Sequence, residues 1–305
     1  MKIFGAIAAV ALMVAGTVHA AETVTITDVA GREVSVKVPA EKLILGEGRL
    51  IYGLATLDTD APFKRVVGWR DDLKKADPQG YGIYAAKYPE IDSLPTFGGI
   101  KDGTFDVEQA ISLKPDVIVM NLEAKGATDD ASLDKKLAAV GIPLVYIDFR
   151  ESPMKNTETS MRILGQLTGL ETRAEEFIKF RADHIKRVTD RLAKANPKIP
   201  DVFIERAAGY SDECCMSFGN ENFGKMVELA GGKNIAADII PGTFGTINPE
   251  QVVASNPDQF VGTGGDWEAY APGMGWVPVG PGADMKEAKR KLIGLTERPA
   301  FRDIK

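Results

Sequence analysis

Arginine, tryptophan and tyrosine side chains lie just beyond the ends of several predicted β-strands. Each of these strands is a short apolar run rich in β-branched residues. The residues concerned are Arg49, Trp69, Arg70, Arg150, Arg206, Tyr210 and Trp267. A guanidinium group can bind a carboxylate or catecholate through two parallel hydrogen bonds, and it can also stack on a flat group. The set therefore predicts a binding pocket for an anionic, partly aromatic ligand.

Each of these residues also has a purely structural interpretation. An arginine after a strand can form an ion pair at the surface, and a single tryptophan can lie in the core. Three further aromatic residues, Tyr81, Tyr84 and Tyr88, fall on a predicted short helix or loop. They could line the mouth of the pocket or pack against the protein, and the sequence does not separate these alternatives.

The inventory of reactive side chains argues against catalysis and against direct metal capture. His19 falls in a predicted leader, and His184 is then the only histidine that remains. Neither a Ser–His–Asp triad nor a histidine-rich metal site can be assembled around one histidine on a predicted helix. We therefore predict no catalytic residues, no metal ligands and no cofactor, with iron entering only inside a bound chelate. Binding of a bare ion by carboxylates alone is the alternative.

The two cysteines, Cys214 and Cys215, are neighbours in the sequence. Consecutive Cα atoms across a trans peptide lie closer together than a relaxed disulfide prefers. We therefore favour two reduced, buried side chains, with a vicinal disulfide near a ligand as the alternative. A CxxC redox motif is absent from the sequence.

Residues 1–20, MKIFGAIAAVALMVAGTVHA, have the pattern of a secretory signal peptide. They combine a basic residue, an apolar middle and a small-residue cleavage site, which predicts a periplasmic or otherwise exported protein. The formal net charge of the chain is −6. This balance argues against a nucleic-acid partner, because phosphate binding calls for a basic surface.

Predicted strands and helices alternate through most of the chain, after a hairpin that turns at Ala30-Gly31. The strands are predicted at Leu43–Leu45, Arg65–Val67, Asp116–Met120, Leu144–Ile147, Val202–Glu205 and Gln259–Gly262. The helices among them are predicted at Val107–Leu113, Ser132–Val140, Thr157–Leu167, Phe223–Ala230, Pro249–Ser255 and Lys286–Thr296. The alternation predicts an α/β fold with parallel sheets, whose ligands bind beyond the carboxyl ends of the strands. Residues 171–196 contain no Gly or Pro and predict one helix about 37 Å long. We predict two Rossmann-like lobes, at residues 21–170 and 197–305, joined by this helix and enclosing a ligand cleft. An ordinary crossover helix inside one domain is the alternative.

A short motif occurs twice, as EQAISLKPDVIV at residues 108–119 and as EQVVASNPDQFV at residues 250–261. In each copy an Asp or Asn stands before the helix, where it favours an N-cap, and Pro-Asp then ends the helix and begins a strand. The copies are interpreted as corresponding units of two similarly built lobes. Helix capping alone can account for the polar residues at both helix starts, which leaves a further role for Glu108 and Glu250 open.

Several segments together resemble one family. They are ITDVAGREVSV, RVVGW, FDVEQAISLKPDVIV, AGGKNIAAD and INPEQVVASNPDQFVGTG. With the signal peptide, they resemble the periplasmic substrate-binding proteins of ABC importers, of the iron-siderophore, haem and vitamin B12 class. The resemblance runs from about Val24 to the last residue. It implies two α/β lobes that clamp a ligand and open only modestly, because a single long helix joins them.

The resemblance also implies partners. In this family a glutamate of the repeated motif on each lobe forms a salt bridge with arginines of the membrane permease, and the matching residues are Glu108 and Glu250. We expect a monomer that carries a ferric siderophore to an ABC permease dimer in the inner membrane. Haem and cobalamin are alternatives within the class. An exported interaction module, or a thiol protein that uses Cys214 and Cys215, is an alternative outside it.

The family pattern continues beyond the segment LTERPAFRDIK, with which this chain ends at Lys305. In other members a further strand and helices complete the second lobe. We therefore expect the C-terminal lobe to be incomplete through truncation, with an abbreviated lobe as the alternative.

Overall fold

The computed structural model describes residues 22–210, 212, 214–302 and 304. The predicted signal peptide, residues 1–20, lies outside the described residues. The chain opens with a hairpin in which β1 (Glu22–Thr27) pairs antiparallel with β2 (Glu33–Val38). Gly31 has a φ of +77° in the connecting turn, a conformation that favours glycine. The predicted hairpin is therefore confirmed.

A five-stranded parallel sheet follows, and we call it and its helices the N-terminal lobe. Its strands stand in the order β5-β4-β3-β6-β7. The chain therefore adds β4 and β5 on one side of β3, and later β6 and β7 on the other side. In chain order they are β3 (Leu43–Leu45), β4 (Val66–Arg70), β5 (Thr96–Phe97), β6 (Val117–Asn121) and β7 (Leu144–Ile147).

Seven helices accompany this sheet: α1 (Ile51–Leu57), α2 (Asp72–Ala76), α3 (Pro78–Lys87), α4 (Val107–Ser112), α5 (Lys125–Asp130), α6 (Leu133–Ala138) and α7 (Pro153–Thr168). Both faces of the sheet are buried against them. Leu43 and Leu45 belong to the core on one face, while Ile44 between them belongs to the core on the other. Continuous apolar strands are expected for a parallel sheet covered on both faces.

One helix, α8 (Glu171–Ala195), leaves the N-terminal lobe and leads to the second half of the chain. It packs along α7, and its buried side chains are Ala174 and Ile178. The helix ends at Asn196, whose φ of 41° lies in the left-handed region that terminates helices. The single long connecting helix predicted from the sequence is confirmed.

The second half, which we call the C-terminal lobe, contains two small sheets. One is parallel, in the order β10-β8-β12, and the other is an antiparallel pair of β9 and β11. The strands are β8 (Asp201–Glu205), β9 (Met216–Phe218), β10 (Lys233–Asn234), β11 (Phe244–Thr246) and β12 (Gln259–Gly262). Its helices are α9 (Phe223–Leu229), α10 (Pro249–Ser255), α11 (Met285–Thr296) and α12 (Pro299–Arg302).

The two cysteines lie in the core of the C-terminal lobe. Cys215 is buried against Phe203 and Ile240, and Cys214 packs at the edge of the same cluster. The two are joined by a disulfide, so the prediction of reduced side chains is wrong. Of the alternative, the vicinal bridge is present, while its placement near a ligand stays a prediction.

Among the described residues, no helix combines the length and the apolar character that a bilayer span requires.

Candidate functional site

A cavity of about 380 Å³ lies between the two lobes, and we call it the interlobe cleft. The N-terminal lobe contributes Arg49, Arg70, Asp72, Ala76 and Arg150. The C-terminal lobe contributes Arg206, Ala207, Tyr210, Met216, Trp267 and Tyr270. Six of the seven residues predicted to bind ligand therefore line one cavity.

The sheet topology explains why these side chains meet. Arg49 follows β3, Arg70 ends β4 and Arg150 follows β7, so all three stand at the carboxyl edge of one parallel sheet. Arg206 follows β8 in the other lobe. Strands are added on one side of β3 and then on the other, and ligands gather at such a switch point in open α/β sheets.

Trp69, which was predicted to bind ligand, does not line the interlobe cleft. The strand β4 runs to Arg70, so Trp69 lies inside the strand rather than after it. Its side chain is 2% exposed and meets the Phe63 ring edge-on, with ring centroids 5.6 Å apart.

The three tyrosines of the segment after β4 also pack against the N-terminal lobe. Tyr84 meets the ring of Phe63 edge-on, and Tyr88 donates a hydrogen bond to the carbonyl of Asp60. Tyr81 donates a hydrogen bond to Asp92. Of the two alternatives for these tyrosines, packing against the lobe is therefore correct.

Carboxylates already pair with the arginines of the N-terminal lobe. Arg49 contacts Glu47 and also lies 2.9 Å from Asp72, measured from Nε to Oδ2. Burial opposes the charge on Arg49, but these two carboxylates outweigh it and raise its pKa above the ordinary value. Arg70 pairs with Asp102 at 2.9 Å on the surface. In these ion pairs, carboxylates balance the positive charges of Arg49 and Arg70.

Arg150 sits in a similar network. Its Nη1 atom is 3.2 Å from Glu47, and its Nε atom is 3.0 Å from Glu123. Glu123 also accepts a hydrogen bond of 2.6 Å from Lys101. Burial opposes ionisation of Glu123, but Lys101 and Arg150 together lower its pKa below the ordinary 4.5.

We expect Glu123→Gln to lower the free energy of unfolding by about 1 kcal/mol at pH 7. Because the folded pKa of Glu123 is lowered, its stabilising effect is present above pH 4.5 and is lost as the pH falls through the folded pKa. The difference between the variant and the native protein should therefore shrink by pH 3. Urea unfolding followed by circular dichroism at pH 7, 5 and 3 measures it.

The matched control is Glu90→Gln, because Glu90 is exposed and has no ion pair within the part of the chain that is described. Its effect should be small and independent of pH. An equal loss of stability for Glu123→Gln at pH 3 and pH 7 would contradict the network.

Arg206 differs from the other arginines of the interlobe cleft. Within the described part of the chain it has no carboxylate partner. Its guanidinium lies 4.8 Å from the centroid of the Phe244 ring and 4.0 Å from the sulfur of Met216. The neighbouring Glu205 is instead occupied by Arg298, which holds both of its carboxylate oxygens. Burial and the charge of Arg150 lower the pKa of Arg206.

A second polar group in the interlobe cleft is also unused. The indole Nε1 of Trp267 is buried and has no acceptor among the described residues. Trp267 belongs to the segment between β12 and α11, which also brings Tyr270 to the cleft. In the same segment Asp266 accepts a 2.6 Å hydrogen bond from Gln79 of the N-terminal lobe. The segment therefore reaches across from one lobe to the other.

Two further hydrogen bonds join the lobes beside Arg150. Asn222 donates to the carbonyl oxygen of Arg150, and Thr243 donates at 3.3 Å to the carbonyl oxygen of Glu151. The acceptors are both backbone atoms of the loop between β7 and α7. The lobes thus meet close to Arg150, one of the arginines that line the interlobe cleft.

Glu108 and Glu250 occupy equivalent places in the two lobes. Each is exposed in the first turn of a short helix, α4 or α10, behind the N-cap residue Asp106 or Asn248. The part of the chain that is described offers neither carboxylate an ion pair. Both helices begin near the cleft edge of their lobe. Asp102, in the loop before α4, pairs with the cleft residue Arg70. Thr246, in the strand before α10, lies opposite the cleft residue Met216.

Several residues of the site were not predicted. Glu47 follows β3 beside Arg49, and Asp72 begins α2 two residues after Arg70, so the sequence did carry a signal for them. Tyr270 lies in a segment rich in Gly and Pro without periodicity, and no signal pointed to it. Within the described residues, no group of three or more His, Cys, Asp or Glu side chains is arranged to hold a metal ion.

Comparisons with known proteins agree with this geometry. A family model described as periplasmic binding protein matches residues 79–304. Among solved structures, the TroA-like periplasmic binding protein FepB from Veillonella parvula is 31% identical, with a TM-score of 0.80. That match covers 92% of this chain and 80% of the other.

Two other relatives are more distant. An uncharacterised ABC transporter substrate-binding lipoprotein, YvrC of Bacillus subtilis, is 25% identical over 258 residues, which is 79% of this chain and 69% of the relative. The periplasmic heme-binding protein RhuT from Roseiflexus is 22% identical with a TM-score of 0.56, covering 86% of each chain. The similarity to RhuT concerns the fold alone.

Proposed function

This chain belongs to the periplasmic binding protein family, and on that premise we propose that it captures an anionic ferric siderophore and delivers it to an ABC permease. The family serves ABC importers outside the cytoplasm and includes binders of siderophores, haem and metal chelates. In the proposed mechanism no covalent bond is made or broken. Binding, a small closure of the lobes and docking constitute the whole cycle.

Arg206 is the observation that carries this proposal. A half-buried guanidinium without a carboxylate partner in the described chain is costly unless a ligand supplies the countercharge. An anionic oxygen of a chelate satisfies it through a charge-assisted hydrogen bond. Trp267 lines the same cavity, and its buried Nε1 is a second donor without an acceptor in the described chain. Tyr210 and Met216 offer apolar surface for the organic part of the ligand.

Ligand binding and lobe closure are coupled through charge in this proposal. Arg150 and Arg206 come from opposite lobes, line the same cavity and repel each other. An anion between them replaces this repulsion with two attractions. The ligand therefore binds the closed state more tightly than the open one, as any ligand that shifts a conformational equilibrium must.

Docking on the permease is assigned to Glu108 and Glu250. Each lobe presents an exposed carboxylate at a helix start, where the helix dipole favours its negative charge and the described chain offers it no ion pair. The separation of the two charges follows the separation of the lobes. A permease with two equivalent basic sites can thus distinguish the closed, loaded protein from the open one.

Haem is the second candidate ligand, and Tyr210 and Tyr270 favour it. Both tyrosines line the interlobe cleft, and a phenolate is one of the side chains that can ligate haem iron. A Soret band that sharpens and shifts on titration would favour haem over a siderophore.

The test of the proposed function is a titration of the exported protein followed by quenching of tryptophan fluorescence. The ligands are ferric hydroxamate, catecholate and carboxylate chelates, with haem and cobalamin alongside. We expect saturable quenching by a ferric chelate, and we expect the same chelator without iron to bind more weakly. The quenching signal should fall in Trp267→Phe, while calorimetry still detects binding. Tightest binding of cobalamin, or no binding by any ligand, would overturn the proposal.

A further inference from the structure

A second cavity, of about 320 Å³, lies in the N-terminal lobe beside the interlobe cleft, and we call it the side chamber. It is enclosed by α1, α7, α8 and the ends of the central strands. Arg49 and Arg150 line both the side chamber and the interlobe cleft. The two cavities are therefore neighbours separated by the ion pairs of these arginines with Glu47.

The walls of the side chamber are mainly apolar and aromatic. The contributing side chains include Leu50, Thr56, Phe149, Met161 and Phe177. Its size falls within the usual range of small-molecule pockets, and few polar groups among apolar walls are typical of such sites. A space of this volume holds about ten non-hydrogen atoms, taking the volume of one water molecule for each.

One polar group in the wall lacks a partner. Asn121 is 3% exposed, and its Oδ1 atom has no donor among the described residues. Its Nδ2 atom donates a 3.0 Å hydrogen bond to Glu47. This bond fixes the orientation of the amide, because the reverse orientation would set Oδ1 against a carboxylate. A buried acceptor without a donor is unfavourable, so the site is complete only when a ligand donates to it.

From these observations we propose that the side chamber binds an uncharged aromatic group that carries one hydroxyl or N–H donor. The ring packs among Phe149, Met161 and Phe177, and the donor forms a hydrogen bond with Oδ1 of Asn121. The group is either a substituent of the ligand held in the interlobe cleft or a separate small molecule. Only the first source rests on the proposed function.

The probe for this site is 1-naphthol, an uncharged ring system of matching size with one hydroxyl, titrated calorimetrically into the exported protein. We expect saturable binding at one site. Thr56→Phe fills the chamber and should weaken that binding at least tenfold. The matched control is Thr59→Phe, at an exposed position outside the chamber, and it should leave binding unchanged.

A second comparison does not depend on the folding of the filled variant. Replacing the probe by 1-methoxynaphthalene removes the hydroxyl donor, and we expect binding to the native protein to weaken about tenfold. In Asn121→Leu the two probes should bind equally well. Unsaturable binding of 1-naphthol, equal binding to Thr56→Phe and the native protein, or no preference of the native protein for the hydroxyl would overturn the proposal.

Two further experiments show whether the aromatic group belongs to the cleft ligand or to a separate molecule, and they test this proposal independently of the proposed function. If Thr56→Phe weakens binding of an aryl-bearing ferric chelate but not of ferric citrate, the group is a substituent of the cleft ligand. If it weakens neither while 1-naphthol still requires the chamber, the group is a separate molecule. Arg206→Gln should weaken both chelates and leave 1-naphthol unaffected, so a failure of the cleft proposal is distinguishable from a failure of the chamber.

Discussion

Reversing the charge of Arg206 with Arg206→Glu is expected to weaken binding of an anionic ferric chelate by about 2–4 kcal/mol, or roughly 30- to 1,000-fold. The variant removes the one cleft arginine that has no carboxylate partner in the described chain, and it adds a negative charge beside the ligand. Arg206→Gln should lose less, because it removes the attraction without adding repulsion. Isothermal titration calorimetry with the chelate that quenches most strongly measures both variants.

The matched control is Arg70→Gln. Arg70 lines the same cavity, but Asp102 already pairs with it on the surface, so its loss should weaken binding only slightly. Folding stability supplies a second readout. Because Arg150 repels Arg206, Arg206→Gln should be at least as stable as the native protein without ligand. Similar affinities for Arg206→Glu and Arg70→Gln would refute the special role of Arg206.

The double variant Glu108→Arg and Glu250→Arg is expected to reduce uptake at least a hundredfold while ligand affinity stays unchanged. The physical reason is that both carboxylates proposed to dock are replaced by positive charges, which the proposed basic sites of the permease would repel. Transport of the radiolabelled ferric chelate into proteoliposomes that contain the cognate permease and its ATPase measures the effect. Each single variant should retain intermediate activity, because one of the two contacts survives.

A control with the same change of charge is Glu90→Arg and Glu297→Arg, one exposed acidic residue from each lobe. Uptake should stay close to the native rate. A second control, Glu108→Gln with Glu250→Gln, separates repulsion from the loss of attraction. Normal uptake by the doubly reversed variant would eliminate the docking role, and an equal loss in the Glu90 and Glu297 control would reduce it to a general effect of charge.

Much of the fold could be predicted because the parallel strands are short, continuous apolar runs. The strands Leu43–Leu45, Leu144–Ile147 and Gln259–Gly262 have the predicted bounds. The helix Ile51–Leu57 was missed, since it is apolar around most of its circumference and lacks the polar face that marks a helix. The pair of β9 and β11 was also missed, because Ser217 and Gly245 interrupt the two segments and neither is a continuous apolar run.

The site was partly predictable for a geometric reason. Residues after parallel strands meet at one edge of a sheet, so the rule brought Arg49, Arg150 and Arg206 together from the sequence alone. The same rule failed for Trp69, because β4 is two residues longer than the segment that the sequence predicted and includes it.

The balance of charge in the interlobe cleft could not be predicted. It depends on which loops face one another across the sheet and between the lobes. Arg150 pairs with Glu47, which is far away in sequence and follows a different strand. Only the folded chain distinguishes these paired arginines from Arg206.

The hydrogen bonds from Asn222 and Thr243 to the backbone of residues 150 and 151 have an evolutionary consequence. A main-chain carbonyl is present whatever side chain occupies its position. Mutations at position 150, which lines the interlobe cleft, can therefore alter cargo preference without disturbing how the halves are joined. A lineage built on this scaffold could acquire new nutrients while it keeps the same membrane partner.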